Sequence, residues 1–148
     1  MRFAAAILCA TMAVATCPAA AQNPPPARVD GEVAAPVEIL MDFINGDVRC
    51  LPPRALLPAT DELDLRVINR AERPLMFIAP EFLRAAKILR ANQLVEVEGG
   101  SFLVGAKGQL RFVLRTPKPG EYYYSCYLPG HRPNPQSSGF LVVAGTGQ

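Results

Sequence analysis

The sequence predicts an all-β fold, a Greek-key sandwich of two sheets carrying one short helix. Three observations predict it. Apolar or alternating runs of strand length recur along the chain, broken by Gly, Pro and Asn turns. Only one segment has helical character, whereas a parallel α/β architecture needs a helix between successive strands. At 148 residues, half of them hydrophobic, the chain has the length of one domain and enough apolar side chains for a sizeable core.

The chain begins with an address. Arg2 precedes the apolar run Phe3 to Val14, and Cys17-Pro18-Ala19-Ala20-Ala21-Gln22 supplies an Ala-x-Ala cleavage site after Ala21. Residues 1–21 therefore read as an export signal, too short for a membrane span, and a bacterial periplasm is the expected location. No later run is long and apolar enough to cross a membrane. Residues 22–36 contain four prolines and read as an extended flexible leader. The folded domain is expected over 37–148.

Within that domain, Val37 to Phe43 and Val48 to Leu51 flank the turn Asn45-Gly46-Asp47, a hairpin signal. Leu63, Leu65 and Val67 alternate with Asp64, Arg66 and Ile68 before Asn69, as in a strand with one buried face. Further strands are expected at Met76 to Ile78, Leu94 to Val97, Phe102 to Val104, Leu110 to Leu114, Glu121 to Tyr127 and Phe140 to Val143. The helix is expected over Pro80 to Arg90. There Pro stands in the first turn beside Glu81, Arg90 closes the segment, and Phe82, Ala86 and Leu89 share a side. The four tyrosines at 122, 123, 124 and 127 read as strand packing.

Charge excludes some functions. The formal charge is +2, and loss of Arg2 with the signal leaves the mature chain near neutral, so no nucleic-acid footprint is present. Two of the four cysteines, Cys9 and Cys17, leave with the signal, so Cys50 and Cys126 remain in an oxidising compartment. They have three readings. A disulfide between them is one, a thiolate ligand at Cys126 is another, and an inert buried thiol at Cys126 is the third.

The ligand reading rests on Cys126-Tyr127-Leu128-Pro129-Gly130-His131, where a soft sulfur and an imidazole bracket a tight turn. One Cys and two His in a plane, with a weak axial donor, make a blue-copper centre. His131 is the only histidine in the chain, however. A zinc site would need four Cys or His ligands and the mature chain has three such residues. A Cys/His hydrolase lacks an orienting acid and a helix start at the cysteine, so no enzyme is expected.

The segment Thr116 to Cys126, then Pro129-Gly130-His131, then Gly139-Phe140-Leu141-Val142-Val143, resembles the cupredoxins, the family of azurin and plastocyanin, and the resemblance spans about Val37 to Ala144. It implies a cupredoxin-like sandwich with copper at one end, held by Cys126 and His131. Two positions depart from it. Leu75 stands where the family places its first His, and Pro135 where it places an axial Met. Met76, through a bulge or register shift, and Gln136, through its amide oxygen, are the candidate replacements. The functional expectation is a monomeric periplasmic copper protein serving electron transfer or copper handling, with a redox or copper-delivery protein as partner. The alternative is a metal-free accessory module with a Cys50–Cys126 disulfide. Pro74 to Arg84 supports it by its similarity to cupredoxin-like proteins of metal transport systems.

Overall fold

The computed structural model describes residues 35–92 and 99–145. The export signal, most of the leader and the strand expected at Leu94 to Val97 lie outside the described residues. Ten strands appear among those described: β1 (Val37–Ile44), β2 (Asp47–Leu51), β3 (Arg54–Leu57), β4 (Leu63–Asn69), β5 (Leu75–Ile78), β6 (Lys87–Ala91), β7 (Ser101–Val104), β8 (Gln109–Arg115), β9 (Gly120–Tyr127) and β10 (Ser138–Val143). They form two five-stranded sheets, ordered β2-β1-β4-β8-β6 and β3-β10-β9-β5-β7. Both sheets are mixed, because β1 runs parallel to β4 and β10 parallel to β3. The chain passes repeatedly from sheet to sheet, giving the sandwich expected from the sequence.

Local chemistry explains the elements. Asn45 and Gly46 both have left-handed φ values, 54° and 88°, in a two-residue turn that pairs Ile44 with Asp47. This is the hairpin geometry for which Asn-Gly is suited. Alternation along β4 sends Leu63, Leu65 and Val67 inward, against Leu114, Phe112 and Leu110 of β8. The sheets meet across a hydrophobic core, marked by the edge contact of Phe102 on β7 with Phe112 on β8 at 5.4 Å between ring centres. The first sheet's outer face is charged. There Arg111 grips Asp64 through two hydrogen bonds of 2.9 and 2.8 Å, and Arg66 adds a third at 3.0 Å. The Arg111 hydrogen bond holds the Asp64 carboxyl below its usual range; partial burial opposes this and Arg66 reinforces it.

The helix is shorter than the sequence predicts. α1 covers Pro80–Ala85, and Ala86 already has the extended values φ −75°, ψ 153°. Lys87 to Ala91 then form β6 on the edge of β8, with a register shift between Ile88 and Arg90 that leaves Leu89 exposed. The free edge of β8 offers these residues a hydrogen-bonding ladder, and that long-range pairing overrides local helical preference. Phe82 and Leu83 of α1 are buried, and the Phe82 ring meets Tyr122 edge-on at 5.6 Å. β3 was not expected from the sequence, because Pro52-Pro53 masks a four-residue strand that adds to β10.

Candidate functional site

β9 carries the site. Its period of two points Tyr124 and Cys126 into the core and sets Tyr123, Ser125 and Tyr127 on the other face, where Ser125 is nonetheless fully buried. At its end, the chain turns through Pro129-Gly130, and the His131 N–H donates to the Leu128 carbonyl at 2.9 Å. The His131 ring is exposed, with Nδ1 3.3 Å from the Pro129 carbonyl oxygen. That oxygen only accepts, so the contact favours the tautomer protonated at Nδ1 and leaves the lone pair on Nε2.

Cys126 is bonded to Cys50 of β2, with a Cα–Cα distance of 6.0 Å, inside the usual disulfide range. The bond joins the two sheets, and its residues are 0% and 1% exposed. Of the three fates left open by the sequence, the disulfide is the one the structure contains. In this oxidised form the Cys126 sulfur has no thiolate to offer a metal.

The loop after His131 closes over the bond. Asn134 caps a single turn of 3-10 helix (Pro135–Ser137): its side chain accepts from the Ser137 N–H at 2.9 Å, while the Asn134 N–H donates to the Ser137 hydroxyl at 2.9 Å. The Ser137 carbonyl oxygen thereby lies 3.2 Å from the Cys50 sulfur. Sequence reasoning missed this contact, although Asn134 followed by Pro135 was an available cap signal. Beside it lies a groove of about 130 Å³ lined by Asp47, Val48, Tyr127, Leu128, His131 and Ser137 among others.

The remaining sequence-named donors do not converge on Cys126. β5 pairs with β9 in unbroken register, Met76 opposite Tyr127 and Phe77 opposite Cys126. Met76 therefore projects from the outer face of the sheet while Cys126 projects into the core, and no bulge brings them together. Gln136 is exposed, and neither it nor Met76 lines the groove. Leu75, where the first imidazole was expected, is fully buried. Among the described residues no three His, Cys, Asp or Glu side chains gather as a metal cluster. The donor set of a three-ligand blue-copper centre does not fit the oxidised chain.

Two further features mark this half of the molecule. Tyr124 is fully buried, its hydroxyl donates to the Pro52 carbonyl, and burial pushes its pKa up to about 12. On the outer face of the second sheet Leu56 is 72% exposed near Tyr123 and Phe140, whose rings meet edge-on at 6.2 Å, with the Arg54–Glu121 ion pair on the same face and Leu103, 54% exposed, at the far edge on β7. No helix among the described residues is long and apolar enough to cross a membrane.

No protein-family model matches the sequence, and no curated protein does. Solved structures resemble it in shape. The multicopper oxidase McoA of Aquifex aeolicus superimposes with a TM-score of 0.54 at 12% identity, over 84% of this chain and 32% of that one. The blue copper oxidase of Nitrosomonas europaea gives 0.50 at 13% identity, over 82% and 47%. Auracyanin A, a blue copper protein of Chloroflexus aurantiacus, is 19% identical over 74% of this chain and 100% of its own, with a TM-score of 0.47. The chain spans about a third of the length of the first of these oxidases. At such identities the likeness concerns shape, and in shape this protein is a cupredoxin-like β-sandwich.

Proposed function

We propose that this protein is an exported, non-enzymatic cupredoxin-like module that acts by binding another protein in the periplasm and, in its oxidised form, holds no blue-copper centre. The observation that carries the reading is the Cys50–Cys126 disulfide, which engages the one sulfur a blue-copper site would need. Leu75 in the core and Met76 on the opposite face of the sheet support it. The binding role draws on the exposed apolar side chains Leu56, Tyr123 and Phe140 on the outer face of the second sheet, flanked there by the Arg54–Glu121 ion pair. The partner class is a component of a metal transport system, as the similarity at Pro74 to Arg84 implies.

The test uses mature protein isolated from the periplasm. Alkylation before and after reduction should label no cysteine and then two, read by mass spectrometry. Added Cu(II) should produce no intense visible charge-transfer band. Free thiols in the isolated protein, or a strong band that disappears in Cys126→Ala, would overturn the reading.

A further inference from the structure

The function proposed above needs the Cys50–Cys126 bond intact, and the loop after His131 is placed to keep it so. We propose that residues 132–137 form a strap that gates thiol–disulfide exchange at Cys50, so that a dithiol reduces the bond only while the strap is lifted. This control goes beyond that function, because it concerns which state of the bond a reductant can reach and not what the protein binds.

Burial leaves one approach to the bond. Cys126 points into the core from β9, an interior strand with β10 and β5 on either side, so its sheet closes around it. Cys50 lies on β2, the edge strand of the other sheet. An edge has no further strand to cover it, and here the turn Pro135–Ser137 lies against β2, as it does against β9. Ser137 is buried, and its carbonyl oxygen stands 3.2 Å from the Cys50 sulfur, too close for solvent or an attacking sulfur to pass between them. The strap holds itself in that position. Asn134 accepts from the Ser137 N–H through its side chain at 2.9 Å and from the Ser137 and Ser138 hydroxyls through its carbonyl at 2.9 and 3.1 Å, and its own N–H donates to the Ser137 hydroxyl at 2.9 Å. These bonds all end within residues 134–138. Towards the β1–β2 hairpin, the groove of about 130 Å³ keeps Asp47 and Val48 apart from His131 and Asn134. Gly130, with φ 81°, and Ser138, joined to the Tyr123 hydroxyl at 2.9 Å, mark the two ends of the strap. Lifting it therefore breaks the cap and the Ser137 contact while both sheets stay paired.

With the strap lifted, a dithiol reacts in two balanced steps. One of its thiolates attacks the Cys50 sulfur; a new sulfur–sulfur bond forms as the Cys50–Cys126 bond breaks, and the electron pair leaves with Cys126, which takes a proton. The second thiol of the reductant, deprotonated, then attacks its own sulfur in the mixed disulfide. Cys50 leaves as a thiolate and takes a proton, and the reductant departs as a disulfide. Cys126 leaves into the hydrophobic core and Cys50 faces a carbonyl oxygen, so neither thiolate is stabilised where it forms. Strap and surroundings thus act in the same direction, towards the oxidised state.

The experiment follows reduction of the oxidised mature chain by dithiothreitol, with thiols counted by alkylation and mass spectrometry, and takes the urea-unfolded chain as the ungated reference. The folded chain should react far more slowly than that reference, at a rate that stays flat in urea below the unfolding transition, as a local opening requires. Asn134→Ala should react about five- to tenfold faster than wild type, the size of a lost cap, whereas Asn134→Ser, which keeps a capping oxygen, should stay close to wild type. Val67→Ala, in the core of the other sheet, should lower the urea midpoint and leave the rate unchanged. With glutathione in place of the dithiol, the trapped adduct should map to Cys50. The proposal is overturned by a folded chain that reacts as fast as the unfolded one, by an Asn134→Ala rate equal to wild type, by a Val67→Ala rate that rises with its loss of stability, or by an adduct on Cys126. The urea dependence of the wild-type rate decides the case even where a variant folds poorly: a rate that climbs as steeply as the unfolding equilibrium means that the bond opens only with the whole domain. None of these outcomes bears on partner binding by the oxidised form, so the two proposals fail separately.

Discussion

The Tyr124 hydroxyl lies in the core and donates to the Pro52 carbonyl, so ionising it would strand a phenolate among hydrocarbon beside a carbonyl oxygen. Its folded-state pKa of about 12 lies above the ordinary value of 10.0, and burial is the cause. The raised value means that the fold favours the neutral phenol. That contribution is complete below pH 10 and is lost as the pH rises from 10 to 12, on the order of 2 kcal/mol in all. Tyrosinate absorbance should show a step near pH 12 from Tyr124, and Tyr124→Phe should abolish that step. A late step that persists in Tyr124→Phe would refute the assignment. Single residues also show where sequence reading stops. Cys126 and Met76 were legible as sulfur donors, but whether they could meet depended on the register of β5 against β9, and the partner of Cys126 depended on a contact 76 residues away. No local pattern encodes either.

Among the elements, β10 depends on a missing side chain. A Cβ on Gly139 would come within 2.5 Å of the Pro53 carbonyl oxygen and 2.7 Å of a Tyr124 ring carbon. Both neighbours are fixed, one by backbone and the other by the core. Gly139→Ala should therefore force β10 away from β3 and destabilise the domain by about 1–3 kcal/mol, read as a lower urea midpoint; an unchanged midpoint would contradict this close packing. The strands with clean alternation or flanking turns, such as β1, β2, β4 and β8, were readable because period and burial agree there. β6 was not. Lys87 to Arg90 carry a helix-compatible pattern, and their strand state exists only because β8 has an edge to fill. β3 was hidden by the prolines before it.

For the molecule as a whole, the inter-sheet disulfide is the main covalent constraint. It closes a loop of sequence separation 76, so in the chain-entropy picture its loss should cost about 4 kcal/mol. Urea unfolding of the mature chain with and without reductant checks this: the midpoint should fall markedly on reduction. An equal midpoint would mean that the sheets hold each other as firmly through packing alone. The sandwich itself was foreseeable because composition, turn spacing and the near absence of helix all point one way. The Arg111–Asp64–Arg66 cluster on one sheet's outer face and the exposed Leu56, Tyr123 and Phe140 on the other's became visible only once the strands were assembled in order.

The Cys50–Cys126 bond also fixes how the domain can transmit force. Oxidised, the chain between these residues is a closed ring with a tail at each end, and a pull on the tails passes through the sulfur bridge. Roughly 250 Å of contour is withheld from extension in this state. Reduction returns that length, so the redox state of one bond sets how far the molecule can be drawn out before it becomes a fully extended strand.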